Sequence, residues 1–251
     1  MRTLMTIPTT QFDARQLKRI NARLEKSHPS KILEWAVETF KGEMALMSSF
    51  GLEDVALYDM LWRIDDSARL MTLDTLRLPN ETYTVIDQTR LRYSVDIETF
   101  YPDLVSVKKM VESQGNNLFY RGLTNRKLCC GVRKVEPLER ALSGVKAWVT
   151  GLRRDQGMER SEIGIVEFDE SHANIKINPL ANWSFDEVRS YVQEHKVPYN
   201  ELHDEGYPSI GCSPCTRAVK DGEDPRSGRW WWESDPDSKE CGLHVVPTPE
   251  S

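Results

Sequence analysis

The sequence predicts an α/β protein built on a doubly wound, mainly parallel sheet, and three observations lead there. Short apolar runs recur at residues 44–49, 70–75, 95–98, 147–151, 163–168 and 175–177, each the length of a buried strand. Helical patterns separate several of them, at residues 53–62, 81–92, 102–114 and 133–142, and strands alternating with helices pack as a parallel sheet covered on both faces. The chain has 251 residues and 39% hydrophobic content, enough for one sizeable core but tight for two full domains.

The elements follow in order. Residues 11–26 and 30–40 place apolar side chains at helical spacing (Leu17, Ile20 and Leu24, then Ile32, Leu33, Trp35, Ala36 and Phe40), with Ser30 as the expected N-cap of the second helix. They form a helical preface, residues 1–41, to a central α/β domain at 42–220. The run at 44–49 breaks at Phe50-Gly51 and resumes as an amphipathic helix, so it reads as strand, tight turn, helix. Ser184 to Glu187 is a capping box opening a helix that runs to about His195, before Pro198. Residues 221–251 are rich in Asp, Glu, Pro, Gly and Ser, and they read as a mobile C-terminal tail.

Charge narrows the partners. The net charge is −6, which argues against a protein that coats nucleic acid or an anionic membrane. Between Arg121 and Arg160, however, ten Lys and Arg stand against four Asp and Glu, and that local excess suits a small polyanion. No apolar stretch approaches the ~18 residues of a membrane span, and the opening MRTLMTIPTT lacks the apolar centre of a signal peptide. The expectation is a soluble, cytoplasmic protein with neither a membrane nor a nucleic-acid partner.

The five cysteines carry the most chemistry. Cys129 and Cys130 are adjacent, Cys212 and Cys215 form a CxxC, and Cys241 stands alone near the end. In a compartment that keeps thiols reduced, thiolates select zinc or iron–sulfur centres, and a disulfide framework is the weaker reading. Structural zinc usually takes two short CxxC-like knuckles, whereas the side chains of a vicinal pair must diverge. A four-iron cube is wider than one ion and offers each of them its own corner, so a [4Fe–4S] cluster is favoured over zinc, and unliganded buried thiols are the remaining reading. Cys241 is the candidate nucleophile, because a thiolate is the reactive form and nearby cations such as Lys239 and His244 favour it. Trp230, Trp231 and Trp232 expose too much apolar area to stay in water and must dock, carrying Arg226 and Arg229 toward an anion. The plain alternative is an inert exposed cysteine beside a tryptophan anchor.

Three further groups suggest a nucleotide. Ser48, Ser49 and Gly51 lie at the strand-to-helix turn, where hydroxyls and free helix-start amides cradle phosphate. The spacing is not that of a GxxxxGK[ST] loop, and ordinary βα punctuation is the alternative. Leu73, Asp74 and Thr75 end the next strand, on the side where open α/β sheets bind ligands, and so can meet a sugar or base; a capping Asp/Thr is the competing reading. Arg133, Lys134, Arg153, Arg154 and Arg160 concentrate forks and charge suited to phosphate or sulfate. Lys134 follows Cys130 by one helical turn and can bridge thiolate charge and a bound anion. Taken singly, each of these cations also fits a solvated helix or strand end.

With SSFGLED, LDT, CCGVRKVEPL, GLRRDQ, GYPSIGCSPCT, GRWWWE and KECGLH in this order, the chain resembles the assimilatory adenylyl-sulfate (APS) reductases over most of its length. That family shares the adenine-nucleotide hydrolase-like fold of PP-loop ATP pyrophosphatases and of phosphoadenylyl-sulfate (PAPS) reductases. The resemblance implies a [4Fe–4S] cluster on Cys129, Cys130, Cys212 and Cys215, with Lys134 near both cluster and substrate. It implies that Ser48, Ser49, Gly51, Leu73, Asp74 and Thr75 hold the adenosine and phosphate portions. Arg160, Arg226 and Arg229 become the substrate-anion arginines and Cys241 the nucleophile. The implied activity is thioredoxin-dependent reduction of APS to sulfite and AMP through a cysteine S-sulfo intermediate. Similar proteins are commonly homo-oligomers. The rival readings are a PAPS reductase and, in a different class, a metal-containing nucleotide sensor or RNA-modifying PP-loop protein.

Overall fold

The computed structural model describes residues 12–233; Lys239, Cys241 and His244 lie outside the described residues. Two helices, α1 (Ala14–Leu24) and α2 (Pro29–Phe40), precede strand β1 (Met44–Ser48), helix α3 (Leu52–Ile64), β2 (Arg69–Leu73), α4 (Asn80–Tyr93), β3 (Ile97–Phe100) and α5 (Leu104–Gln114). Then come α6 (Leu123–Cys130), a π-helical turn at Gly131–Val135, α7 (Glu136–Leu142), β4 (Ala147–Val149), β5 (Val166–Asp169), β6 (Asn174–Ile177) and α8 (Phe185–Glu194).

The six strands form one sheet in the order β3-β2-β1-β4-β6-β5. β3, β2, β1, β4 and β6 run parallel, and β5 pairs antiparallel to β6 at the edge. Chain order runs outward from β1 to β3 in one direction and from β4 in the other, so the topological switch point lies between β1 and β4, where open sheets of this kind bind ligands. The central strands are apolar along their length because both faces are covered: Leu46, Leu70, Ala147, Val149 and Ile177 are essentially inaccessible and join the main core with α2, α3 and α8. The exposed edge is closed by α1. The side chain of Asn21 bonds both the amide and the carbonyl of Val166, at 3.0 and 2.7 Å, in place of a further strand.

Buried polar ties fix the helices around this core. The Asp59 carboxylate on α3 accepts from Tyr93 Oη of α4 at 2.8 Å, Tyr191 Oη of α8 at 2.7 Å and Arg63 Nε at 2.8 Å. Burial pushes its pKa up, but these donors outweigh burial and the net shift is downward.

Several boundaries differ from the sequence reading. The N-cap of α2 is His28, whose Nδ1 accepts from the Ser30 amide, because Pro29 takes the first helical position and moves the cap two residues earlier than Ser30. β2 ends at Leu73, so Asp74 and Thr75 belong to the loop beyond it. The cysteine pair closes a helix, α6, that the pattern at 133–142 did not include, and the π turn carries that helix directly into α7. The capping box at Ser184 is present, with Glu187 returning its carboxylate to the Ser184 amide.

Candidate active site

The carboxyl ends of β1 and β4 open into a cleft of about 420 Å³. At its floor the chain turns sharply into α3. Phe50 takes the left-handed φ of 58°, Ser48 Oγ accepts from its amide at 3.0 Å, and Ser49 donates both its amide and its hydroxyl to Asp54, at 2.6 and 2.8 Å. Gly51 caps α3 without a side-chain hydrogen bond, which leaves helix-start amides for a ligand. Asp54 is 7% exposed. Burial raises its pKa to about 6 despite the two bonds from Ser49.

Of the residues singled out from sequence, Ser48, Ser49, Gly51, Leu73, Thr75, Lys134, Arg160, Arg226 and Arg229 all line this cleft. Asp74 does not. Its carboxylate accepts from the Leu76 amide at 2.7 Å and from Tyr83 Oη at 2.9 Å, and so shapes the loop rather than facing the cleft. Arg154 also turns away, onto Glu25, Asn182 and the Ile163 carbonyl. Arg153 reaches the cleft wall but is neutralised by Glu53 at 2.9 Å and by Asp155. Asp54, Gly151 and His203 line the cleft too and escaped the sequence reading.

Beside the cleft, Cys129, Cys130, Cys212 and Cys215, each 8% exposed, line one small cavity with Arg77, Arg126, Arg133 and Phe119. Lys134, Arg229 and Trp230 line both spaces. Thr75 Oγ1 lies 3.2 Å from Cys212 Sγ, while its carbonyl accepts from Arg133 at 2.7 Å, so one loop residue touches both the thiols and the cleft. Burial pushes the Cys215 thiol up to about 12, with the neighbouring Cys212 adding to it and Lys134 and Arg229 opposing it; burial likewise raises Cys129. As bare thiols these groups stay protonated, and only an electrophilic centre would make them thiolates. Among the described residues no three His, Cys, Asp or Glu side chains are gathered so as to hold one metal ion.

Residues 217–233 fold across the CxxC. The Arg217 amide donates to the Gly228 carbonyl at 3.0 Å, Thr216 forms a β-bridge with Arg229, and the Trp230 amide donates to the Cys215 carbonyl at 3.3 Å. Trp230, at φ 44°, is 2% exposed among the thiols. Arg229 lies over the bare backbone of Gly211, where any Cβ would fall inside its guanidinium.

An open, mainly parallel sheet with a ligand-sized cleft at its switch point, rimmed by cations and flanked by a cavity lined by four cysteines, defines a doubly wound α/β protein. Residues 43–218 match the phosphoadenosine phosphosulfate reductase domain, and the chain belongs to that family. It is 49% identical over 197 residues to a protein of Allochromatium vinosum named adenosine 5′-phosphosulfate reductase, covering 78% of this chain and 77% of that one. A protein of the same name from Sinorhizobium fredii is 42% identical over 243 residues, covering 97% of this chain and 96% of its own. Among solved structures, the phosphoadenylyl-sulfate (PAPS) reductase of Candida auris superposes with a TM-score of 0.72 at 33% identity, over 83% of this chain and 98% of that one. Candida glabrata FMN adenylyltransferase, with a TM-score of 0.53 and 15% identity over 97% of this chain and 81% of its own, shares the fold alone. No helix among the described residues is long and apolar enough to cross a membrane.

Proposed function

We propose that this protein reduces adenosine 5′-phosphosulfate to sulfite and AMP in sulfate assimilation, an oxidoreductase acting on sulfur. The single observation that carries the reading is the shared wall: Lys134, Arg229 and Trp230 border both the cleft and the four-thiol cavity. The names of relatives 41–50% identical support the choice of substrate.

In this reading, the α3 start with Ser48, Ser49 and Gly51 receives the nucleotide phosphate, while Leu73 and Thr75 border the adenosine. Lys134, Arg160, Arg226 and Arg229 spread positive charge over the phosphate and sulfate oxygens and so stabilise the leaving AMP. The Cys241 thiolate attacks the sulfur, the bond from sulfur to the bridging phosphate oxygen breaks, and AMP departs with its electron pair, leaving S-sulfocysteine. A thioredoxin-type dithiol then attacks the Cys241 sulfur and expels sulfite; its second thiol resolves the mixed disulfide and returns Cys241 as thiol, so two electrons pass from the dithiol to the substrate sulfur. Cys241, eight residues beyond Glu233, serves both half-reactions, meeting the substrate sulfur first and the dithiol second.

The four-thiol cavity fits an iron–sulfur cluster. Its donor set is all cysteine, the thiols share one cavity without meeting at a single ion, and the buried Nε atoms of Arg133 and Arg229 lack hydrogen-bond partners among the described residues, as donors awaiting an anionic group would. Cys129, Cys130, Cys212 and Cys215 would hold it, and when bound it would supply fixed negative charge that orients Lys134 and Arg229. The reading belongs to a compartment that keeps thiols reduced.

Cys241→Ser tests the proposal: sulfite release is expected to vanish while AMP binding and the brown colour of anaerobically purified protein persist. Full sulfite release by that variant would overturn it. The superposition on a PAPS reductase makes PAPS the comparison substrate, and faster turnover of PAPS than of APS would replace the proposed substrate.

A further inference from the structure

Two short turns follow β4 on the cleft wall, Arg154–Gln156 and Met158–Arg160. Gly157 joins them at φ 149° and ψ 166°, a region essentially reserved to glycine, and the reversal brings Arg160 back to Gln156. The carboxamide of Gln156 is then fully committed. Its Oε1 accepts from Arg160 Nη1 at 2.5 Å and from the Arg153 amide at 3.1 Å. Its Nε2 donates to Glu53 Oε1 at 3.1 Å and reaches the Gly151 carbonyl at 3.5 Å. Glu53, Gly151, Arg153, Gln156 and Arg160 all line the cleft.

The residue type matters as much as its place. Only a carboxamide offers two acceptor and two donor sites on one neutral group. A glutamate at this position would lack the donors, face the Glu53 carboxylate and cancel the charge of Arg160. Gln156 holds that guanidinium while adding no charge of its own. The far end of the tether is firm: Glu53 lies in the first turn of α3, and its side chain and that of Arg153, paired at 2.9 Å, are only 15% and 6% exposed. The path Arg160–Gln156–Glu53 thus crosses the switch point, from the loop beyond β4 to the helix start beside Ser49 and Gly51.

We infer that Gln156 is a positioning residue for substrate binding: it orders Arg160 before an anionic nucleotide arrives and fixes its distance from the phosphate cradle. The inference rests on the proposed role of Arg160 in holding the phosphate and sulfate oxygens. A ligand that must itself immobilise a free arginine loses about two- to tenfold in affinity. Here the carboxamide has already done the ordering. The glycine hinge and the amide tether act together, since Gly157 turns the chain and Gln156 receives what the turn returns.

The test is steady-state reduction of APS by the full chain with its thiol site loaded and a thioredoxin-type dithiol as reductant, comparing wild type with Gln156→Met, Arg160→Ala and the double variant. Methionine keeps the length and bulk of glutamine and removes its hydrogen-bonding sites. Gln156→Met is expected to raise KM for APS about fivefold with kcat within about twofold of wild type, because the lost ordering falls on binding rather than on chemistry. The double variant is expected to be no worse than Arg160→Ala alone, since Gln156 acts through Arg160. A wild-type KM in Gln156→Met would show that the side chain only fills space, and multiplicative losses in the double variant would show that it acts without Arg160. Either result overturns the inference, as does a fall in kcat at unchanged KM. The two readings fail differently: a wild type that does not turn over APS sinks the proposed function and the inference together, whereas turnover with an unchanged KM in Arg160→Ala removes Arg160 from the substrate and Gln156 with it, leaving the activity standing.

Discussion

Asp54 occupies the space in which a side chain on Gly151 would begin. A Cβ at that glycine would lie 2.5 Å from Asp54 Oδ1 and 2.8 Å from the Glu53 Cβ. The end of β4 and the start of α3 thus meet backbone to carboxylate, and the width of the cleft between them depends on that contact.

Gly151→Ala is therefore expected to push the first turn of α3 outward. Overpacking of this kind costs about 1–3 kcal/mol of stability, and displacement of the phosphate cradle is expected to weaken AMP binding about tenfold or more. Titration calorimetry with AMP checks it, and unaltered affinity would show that the α3 start plays no part in binding.

Asp54 also sets a pH dependence. Its pKa rises from 3.8 to about 6 on folding, so between these values the folded state holds the proton more tightly than the unfolded one. Stability should therefore fall as pH rises from about 4 to 6 and then level off, by an amount on the order of 3 kcal/mol. Asp54→Asn removes that slope, which urea denaturation of both proteins at pH 5 and pH 7 measures: the variant should gain on wild type at the higher pH.

Asp59 carries the opposite sign. Its folded pKa lies below 3.8, so its contribution is fully present above that value and disappears as pH falls through the folded pKa. Asp59→Ala strands two tyrosine hydroxyls and is expected to cost about 3 kcal/mol at neutral pH. The gap to wild type, read from chemical denaturation, should narrow only in strong acid.

Lys134 stands where the two cavities meet. Lys134→Ala removes a charge-assisted contact to a bound anion, worth about 1.5–3 kcal/mol, or roughly 10- to 100-fold in affinity. A weaker dissociation constant for APS with the absorbance of the thiol site retained is expected. Bleached protein would place Lys134 in the support of the thiols instead.

The fold was legible because its signals are local: six apolar runs of strand length and the capping box at Ser184 mark their own elements. The sequence also brought most of the cleft residues together by type and order. What escaped depends on tertiary contact. His28 caps α2 only because Pro29 occupies the first helical position. Asp74 resembles a ribose ligand until Tyr83, nine residues on, is seen to claim its carboxylate. Arg126 reads as one more surface cation of a basic stretch, and only the return of Glu233 from 107 residues away explains its burial. The signal for Gly151 was there, a glycine closing a strand, but nothing local names the carboxylate above it.

The π turn at Gly131–Val135 bears on how such a site tolerates change. A π turn amounts to one residue inserted into a regular helix, and each residue rotates an α-helix by about 100°. Upstream of it Cys129 faces the sulfur cavity, and downstream Leu138 and Leu142 pack on Trp148 of β4. Deleting a single residue there would let the backbone relax into an uninterrupted spiral, and either the cysteines or the leucines would then turn to the wrong side. The irregularity is thus a phase adjuster, and its length is as constrained as the identity of the residues it aligns.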